Sequence, residues 1–550
     1  MPAWFFLAYC GITALLLFYA WSATTRRAAG VLIAIHFFLT YTIAAWVYPL
    51  GYGYDPFIHR ATEQHILIHG FALPKTPLYL GQYMAIDIIA RITHLPVKIL
   101  DIWFVPFLAS FFLPLTTFLG LRYGLKLNRN QASVGVIMLG LYPLQTMFAT
   151  TPHNLANVLL LGIVFLALLL PYSPVTARSL ILLSIVAVLV HPLSGIFAAL
   201  FVITMLVLQT KSWQTLTKNL RLKIAVAVLL SMAVIIPILF ALYGLRSGLP
   251  IPSLVAIRNH LGEFIQLFHE PYYFSTKAVP WLYHLIYSYR LLLPPSLVLL
   301  ATIVGLKLKQ NCWRPFFIFP LIILSNIFFL STWISIPQLH LYEQRQYAER
   351  LLHILMYFIL PFAILAIVMT IKKIVTPWRQ SLCFGLLATA LSISVYLTYP
   401  QDNPKVHFPG FNVTAVDIAA AERIHDQTPT AVQYIVLSNI LTAAASVEKY
   451  GFLTYYSTPE GKMFYYPIPS GSPLTKHFND LLYQGQKRRT VDEALQLTGA
   501  DRAYFLVHSY WAKAPEIIRG AKATADRAEE MVVGNTAIWI FTYDRRDTAR

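Results

Sequence analysis

The chain of 550 residues is poor in charge and in cysteine. Only 12% of its residues are charged and 57% are apolar, whereas a soluble domain typically carries about 25% charge. Its three cysteines lie in or beside apolar stretches, so the polar C-terminal part has neither a disulfide framework nor a cysteine-based metal site. No internal repeat or low-complexity tract is present. These features argue against a soluble globular protein and against a repeat protein.

The apolar residues occur in runs of roughly 20, the length that crosses a ~30 Å hydrocarbon core. We therefore predict a polytopic α-helical membrane protein with about twelve transmembrane helices. The first run has no basic region before it, and we interpret it as a retained helix and not as a signal peptide. The predicted spans are residues 2–22, 30–50, 99–121, 131–150, 154–171, 179–192, 193–209, 224–243, 283–304, 315–333, 350–371 and 381–400.

Carboxylates are missing from one side of the predicted membrane. Residues 1–400 contain 26 Lys and Arg but only eight Asp and Glu, and all eight fall on the side opposite the sixteen Lys and Arg of the basic loops. Short cytoplasmic loops are rich in basic residues, so the basic loops are predicted to be cytoplasmic. The formal charge of +18 then reflects topology in the cell membrane, and it is not a nucleic-acid signature. Both termini are predicted to be extracytoplasmic.

Two parts are predicted, a transmembrane domain over residues 1–400 with long outer loops at 51–98 and 244–282, and an extracytoplasmic α/β domain over residues 401–550. Amphipathic helices are expected in the first loop along the membrane surface; they are Asp55–His69 and Leu78–Thr93. In the C-terminal domain the patterns predict strands at Tyr434–Ser438, Met463–Ile468, Ala503–His508 and Ala537–Tyr543. They predict helices at Val413–Asp426, Asn439–Tyr450, Leu474–Leu482, Thr490–Thr498 and Pro515–Val532.

The first outer loop holds the strongest candidate for catalysis. Asp55, His59 and Glu63 are spaced by four residues, so they share one face of a helix. A positioned carboxylate takes a proton from a hydroxyl or amide nucleophile. The alternative is that Asp55 is only an N-cap, because Asp followed by Pro56 is a common helix start.

A second group of candidates lies before the eleventh predicted span. Arg345 and Arg350 are placed to bind a phosphate, since guanidinium holds two phosphate oxygens at once, and Tyr347 and Glu343 lie close by in the sequence. The alternative is that both arginines pair with Glu343 and Glu349 as ordinary interfacial charges.

Histidines supply the remaining candidates. His191 and His153 lie at predicted outer turns, where polar residues near membrane depth suggest substrate binding and turn capping is the alternative. His65 and His69 are four residues apart, a spacing that can bind zinc on a helix, although solvated interfacial residues share it. We predict no metal site and no cofactor.

Four segments together carry a resemblance to a known family. They are Asp55 in the pattern Asp-x-x-x-His after an early span, the loop Gly-x-x-x-Pro-x-x-Pro-Leu-Tyr, the segment TTPHNLANVLLLGIVFLALLL, and the late stretch LYEQRQYAERLLHILMYFILP. Their order over most of residues 30–400 resembles the glycosyltransferase-C (GT-C) superfamily. Its members include oligosaccharyltransferase catalytic subunits, protein mannosyltransferases and lipid A aminoarabinose transferases.

The resemblance implies a function. Asp55 is then the catalytic base or a carboxylate that orients the acceptor, and basic residues near the outer interface hold the phosphate of a polyprenyl-phosphate sugar donor. The chain departs from the metal-dependent members, because the turn Thr150-Thr151-Pro152-His153-Asn154 has no carboxylate and hard cations need oxygen ligands. The tail also lacks a Trp-Trp-Asp motif. A metal-independent enzyme fits better.

Three classes of function remain open from the sequence. The first is a membrane glycosyltransferase that passes the sugar to an extracytoplasmic glycan, lipid or protein acceptor. The second is a transporter or flippase of a lipid-linked or envelope glycan, although the spans carry almost no central charge and no half-repeat is visible. The third is a non-catalytic envelope assembly protein. Membrane lipids are partners in each case, and nucleic acid in none.

Overall fold

A computed structural model describes residues 2–22, 26–71, 77–173, 175–247, 250–255, 257–268, 279–308, 313–336, 341–399, 412–452, 455–458, 461–468, 471–511 and 513–546. The predicted helical spans and the C-terminal domain fall within these ranges, apart from their edges. Residues 401–411 and 269–278, which belong to the predicted domain start and to the second outer loop, lie outside them.

The elements up to residue 399 are almost all helices. They are α1 (Ala3–Ser22), α2 (Arg26–Tyr41), α3 (Ile43–Val47), α4 (Asp55–His69), α5 (Leu80–Thr93), α6 (Val97–Leu119), α7 (Arg129–Met138), α8 (Pro152–Ala167), α9 (Val175–Val190), α10 (Pro192–Val207), α11 (Lys211–Thr215), α12 (Lys218–Ala233), α13 (Ile235–Ser247), β1 (Ser253–Leu254), α14 (Ile257–Phe268), α15 (Trp281–Lys307), α16 (Arg314–Thr332), β2 (Ile334–Ser335), α17 (Leu341–Lys373) and α18 (Pro377–Thr398).

The C-terminal elements alternate between helix and strand. They are α19 (Ala415–Gln427), β3 (Tyr434–Leu437), α20 (Ile440–Tyr450), β4 (Tyr455–Thr458), β5 (Gly461–Phe464), α21 (Pro473–Tyr483), α22 (Arg488–Thr498), β6 (Arg502–His508), α23 (Ala514–Thr524), β7 (Arg527–Val533) and β8 (Thr536–Asp544).

Membrane-length apolar helices are the main feature of the first part of the chain. Among the described residues six helices are long and apolar enough to cross a bilayer, and a seventh span results if α12 and α13, which meet at a bend of 57°, are one span. Four further apolar helices are shorter. These lengths are those of a helical membrane protein, and they do not by themselves give the predicted twelve spans.

Two predicted spans are interrupted. The span over 30–50 breaks at Thr42, between α2 and α3. The span over 131–150 is helical only to Met138 and continues as short 3-10 turns. Pro143 lies between two of these turns, and proline has no N–H with which to continue a helix.

The described residues form two compact units. The helical unit contains residues within Met1–Trp46, Leu78–Gln82 and Trp103–Gly410; the α/β unit contains residues within Val47–Pro77, Tyr83–Ile102 and Phe411–Arg550. In the helical unit α17 packs against both α15 and α16, and Leu351, Tyr357 and Phe358 of this helix have no exposed surface. Burial on all sides explains why α17 is apolar around its whole circumference after its first turns.

The α/β unit is built on a four-stranded sheet with the order β3-β6-β8-β7. The pair β3 and β6 is parallel, while β8 is antiparallel to both β6 and β7. Most of the first outer loop, apart from Leu78–Gln82, belongs to this unit. Phe57, Ile58 and Ala61 of α4 join the core of the C-terminal domain, and α4 packs on α20. The loop therefore contributes apolar side chains to a domain that begins more than 300 residues later in the chain.

A buried polar network joins α19, α20 and β6 in this unit. The Asp417 carboxylate accepts hydrogen bonds from His508 Nε2 and Thr442 Oγ1, both at 2.8 Å, and from the hydroxyl of Thr414 at 2.7 Å. Burial alone would raise the pKa of Asp417, but the hydrogen bond and charge of His508, with the bonds from Thr414, hold it below its usual value. The network thus fixes the ends of three elements.

One predicted helix in the C-terminal domain is partly wrong. The helix expected over Pro515–Val532 ends at Thr524, and Arg527–Val533 is the edge strand β7. Its side chains alternate in exposure, and all seven residues pair with β8, so tertiary pairing overrides the helix propensity of Ala and Glu. The strand β4 was not predicted either; it forms a hairpin with β5, which begins two residues before the predicted strand Met463–Ile468.

Candidate functional site

The first candidate site lies on α4. The helix begins at Asp55, and Tyr54 occupies the N-cap position without a side-chain cap; the alternative in which Asp55 itself is the N-cap is therefore not supported. Pro56 follows at a position where its missing N–H has no intrahelical partner, and Gly70 ends the helix in the left-handed conformation. The half-exposed Asp55 carboxylate sits at the positive end of the helix dipole.

His59 connects Asp55 to a buried tyrosine. Its Nε2 lies 3.4 Å from Asp55 Oδ2, and its Nδ1 lies 2.8 Å from the hydroxyl of Tyr83 in α5. His59 and Tyr83 are buried, whereas the side chain of Asp55 is 53% exposed. Carboxylate, imidazole and phenol thus form a chain in which only the carboxylate reaches the surface of the unit. This geometry suits Asp55 as a proton acceptor and His59 as the group that orients it.

Glu63, the third predicted catalytic residue, has no exposed surface. It lies within electrostatic range of Asp101, one helical turn past Arg60. Glu63 is therefore completely buried, and its neighbours place it in a charged cluster that the sequence did not indicate.

Arg60 is the centre of that cluster. It has no exposed surface, and its guanidinium lies 3.4 Å from Asp101 and 3.1 Å from Glu448, donates to the Leu50 carbonyl at 2.9 Å, and sits 4.1 Å above the ring of Phe57. Guanidinium suits such a place because its donors form a planar fork.

Two features adapt the surroundings to this guanidinium. Gly51 has φ +106°, and a Cβ there would lie 3.2 Å from Arg60 Nη2, so only glycine fits the backbone and the contact together. Burial raises the pKa of the Glu448 carboxyl, against the opposing effect of Arg60 and Lys98. The single guanidinium faces more than one carboxylate, and it therefore holds the outer loop, α6 and α20 together.

The second candidate site is a cavity of about 750 Å³ in the helical unit, bounded mainly by α15, α16 and α17. Its lining is apolar for most of its length, with Pro294 and Pro295 on α15. Leu299 and Leu321 line it and are 61% and 65% exposed, so the cavity is an open groove. Its polar lining residues are Tyr142, Gln145, Arg290, Thr302, Arg345, Glu349 and His353.

The charged lining residues lie toward one end of the groove, and the apolar ones toward the other. On α15 Arg290 precedes the apolar lining residues, and on α17 Arg345, Glu349 and His353 precede Met356. From Arg290 to Thr302 a helix rises about 18 Å, which gives the apolar part of the groove its length. Arg345 forms an ion pair with Glu349 at 3.1 Å. His353 Nδ1 is 2.7 Å from the hydroxyl of Tyr142.

The two arginines predicted to act together are on different faces of α17. Five residues separate Arg345 from Arg350, which turns the second by about 140° around the helix. Arg345 lines the groove and Arg350 does not; the Arg350 guanidinium lies 5.5 Å from the ring of Tyr347, which also contacts the ring of Phe240. The predicted alternative of interfacial pairing thus holds for Arg345 with Glu349. The side chain of Glu343 lies outside the described residues.

His191 is buried at the N-cap position of α10 but makes no side-chain cap. Its ring stacks on Tyr79 at 5.3 Å and meets the ring of His153 at 5.1 Å. Substrate binding by His191 stays a prediction.

The zinc alternative concerns two neighbouring histidines of α4. The rings of His65 and His69 lie 4.4 Å apart, and burial together with His69 lowers the pKa of His65. Within the described ranges no three His, Cys, Asp or Glu side chains are grouped so as to hold a metal ion.

Sequence reasoning missed Arg60, Tyr83, Asp101 and Glu448 as members of the first site. One signal was present for Arg60, because an arginine between Ile58 and Ala61 interrupts the apolar face of α4. The others are brought in by contacts across long sequence separations, for which a single sequence carries no signal.

Comparison with models of known protein families gave no match to this chain, and comparison with curated proteins gave none.

Proposed function

We propose that this chain is a metal-independent membrane glycosyltransferase of the GT-C type, which transfers a sugar from a polyprenyl-phosphate donor to an extracytoplasmic acceptor. The observation that carries the proposal is the groove between α15, α16 and α17. A long apolar trough that ends in two guanidiniums fits a lipid whose hydrocarbon chain is joined to a phosphate. A sugar beyond the phosphate finds hydroxyl, amide and carboxylate partners among the polar lining residues.

In this proposal the charges of the groove match the donor. Arg345 forms an ion pair with Glu349, and Glu349 also acts electrostatically on Arg290, so two guanidiniums share one carboxylate and the lining keeps a net positive charge. Prolines at 294 and 295 cannot donate to the carbonyls of residues 290 and 291, which leaves hydrogen-bond acceptors beside the guanidinium for sugar hydroxyls. Asp55, oriented by His59, removes the proton of the acceptor. Fixed positive charge stabilises the leaving lipid phosphate.

The function as a whole is tested with the purified chain in closed proteoliposomes that carry a polyprenyl-phosphate sugar labelled in the sugar. An enzyme consumes the donor and releases free lipid phosphate when an acceptor-containing envelope extract is present. Movement of intact labelled donor across the bilayer without consumption would identify a flippase instead. If the chain binds the donor but neither consumes it nor moves it across the bilayer, the result would favour an assembly protein.

Donor binding tests the groove directly. Arg290→Gln and Arg345→Gln are each expected to weaken farnesyl phosphate binding by roughly tenfold to a hundredfold, because a hydrogen bond to a charged group contributes about 1.5–3 kcal/mol. Met356→Trp should weaken it by filling the apolar part. The measurement is equilibrium binding of farnesyl phosphate, with farnesol and inorganic phosphate as separate ligands. Arg379→Gln, in a predicted cytoplasmic loop, is the control. Unchanged binding in all three groove variants would contradict the groove as the donor site.

The predicted membrane orientation can be tested by cysteine labelling. With the native cysteines replaced, a cysteine at Lys218 should react with an impermeant thiol reagent only after the membrane is opened, and a cysteine at Lys476 should react from outside. Both side chains are exposed in the structure, so protection reports the membrane and not burial. Strong labelling of position 218 in intact cells would contradict the predicted orientation.

A further inference from the structure

A second cationic cluster lies in the helical unit where α8 and α10 begin. The Ser194 hydroxyl in the first turn of α10 donates to Asn157 Oδ1 in the second turn of α8 at 2.8 Å. Both helices have 16 residues and begin with proline. Each helix N-terminus carries about half a positive charge from unpaired N–H groups, and this bond places the N-terminal turns of the two helices side by side.

The hydrogen bonds fix the protonation of His153. Because Asn157 Oδ1 accepts from Ser194, its Nδ2 faces His153 Nε2, at 3.0 Å. An amide nitrogen only donates, so Nε2 is the acceptor and the ring proton is on Nδ1. That Nδ1 is buried and has no hydrogen-bond partner in the part of the chain that the structure describes. A buried N–H donor without an acceptor costs free energy, which indicates a place for an acceptor from outside the chain.

Arg350 adds a full positive charge to this cluster. It lies on α17, which packs against α8; it is partly buried and within electrostatic range of His153. Arg345 on the same helix is neutralised by Glu349, but among the residues described in the structure no carboxylate lies within ion-pair distance of Arg350. A partly buried guanidinium without a counter-charge is unfavourable. Among the described residues the cluster thus combines a positive charge without a paired carboxylate and a buried N–H without an acceptor.

We propose that Arg350 and His153, beside the N-terminal turns of α8 and α10, form an anion-binding subsite for a phosphate-like group, distinct from the Arg345–Glu349 pair of the groove. The guanidinium of Arg350 and the Nδ1–H of His153 both donate hydrogen bonds, which selects a phosphate or carboxylate over a neutral sugar hydroxyl. A donor lipid with one phosphate occupies only the groove. The second subsite then binds an acceptor that is itself anionic, and this assignment to the acceptor rests on the proposed function.

The experiment uses the full chain in detergent and inorganic phosphate as the probe, with phosphate binding measured by equilibrium titration. Arg350→Gln and His153→Phe are each expected to weaken phosphate binding by about tenfold or more, the equivalent of one charge-assisted hydrogen bond. Arg379→Gln, at an arginine outside both sites, is the control and should leave phosphate binding unchanged. Loss of phosphate binding in Arg345→Gln but not in Arg350→Gln would overturn the subsite.

Further arms cover the remaining outcomes. Arg350→Lys keeps the charge without the planar fork and should retain part of the phosphate binding. His153→Gln keeps an N–H donor and should bind phosphate better than His153→Phe. These two variants test the subsite if Arg350→Gln and His153→Phe do not fold. Absence of phosphate binding to the unaltered chain up to millimolar concentrations refutes the proposal. If farnesyl phosphate displaces phosphate competitively, the anion belongs to the lipid donor and the acceptor assignment is wrong. Failure of the groove variants to affect farnesyl phosphate would count against the proposed function alone.

Discussion

Asp55→Asn is expected to reduce sugar transfer by about 10²-fold or more, the range for removal of a general base, while expression and folding stay nearly normal. Asparagine has almost the same shape as aspartate but does not accept a proton as a carboxylate does. The structural effect is small, because a half-exposed charge at a helix N-terminus contributes only about 0.3–1 kcal/mol. The measurement is the initial rate of transfer from a labelled polyprenyl-phosphate sugar, with thermal unfolding of each variant.

Two comparisons separate catalysis from structure in that experiment. Asp87→Asn removes another outer-loop carboxylate of the α/β unit and should leave the rate unchanged. Tyr83→Phe keeps the packing of a buried ring but removes the hydroxyl bonded to His59; a smaller loss than that of Asp55→Asn is expected, together with a shifted pH profile. If Asp55→Asn transfers sugar at a near-normal rate while Asp55→Ala only lowers thermal stability, Asp55 has a structural role and the catalytic base lies elsewhere.

The helix that carries Asp55 was predictable because its signals are local. Asp-Pro marks its start and Gly70 its end, and the amphipathic pattern between them gives the bounds that the structure has, Asp55–His69. The same holds for most helices and for β6 and β8 in the C-terminal domain. The edge strand β7 was not predictable from local signals, since its sequence favours helix and only the pairing with β8 makes it a strand.

The surroundings of the site depended on contacts that a single sequence does not reveal. Arg60 meets Asp101 and Glu448, which are 41 and 388 residues away in the chain. The separation of Arg345 from Arg350, by contrast, follows from helix periodicity alone, because positions five apart do not share a face. The sequence grouped the two by proximity in the chain, and the structure shows that only Arg345 lines the groove.

Arg60 is expected to be the most sensitive position for stability. Arg60→Met keeps much of the apolar stem but leaves Asp101 buried without its guanidinium, and Glu448 loses its ion-pair partner. Removing one partner of a buried ion pair destabilises by about 3–5 kcal/mol, so unfolding of the α/β unit should occur at a clearly lower temperature. The measurement is thermal unfolding of the full chain, with limited proteolysis to show which unit opens first.

The control and the rescue distinguish loss of charge balance from loss of packing. Arg91→Met removes an exposed guanidinium that donates to the Leu67 carbonyl, and it should change stability by less than about 1 kcal/mol. Adding Asp101→Asn and Glu448→Gln to Arg60→Met removes the stranded charges, and part of the lost stability should return, because neutral replacements of a complete buried network are tolerated better than one broken partner. If Arg60→Met unfolds at the same temperature as Arg91→Met, the buried cluster does not hold the outer loop to the C-terminal domain. If the triple variant is no more stable than Arg60→Met, the loss comes from packing of the arginine stem against Phe57 and not from its charge.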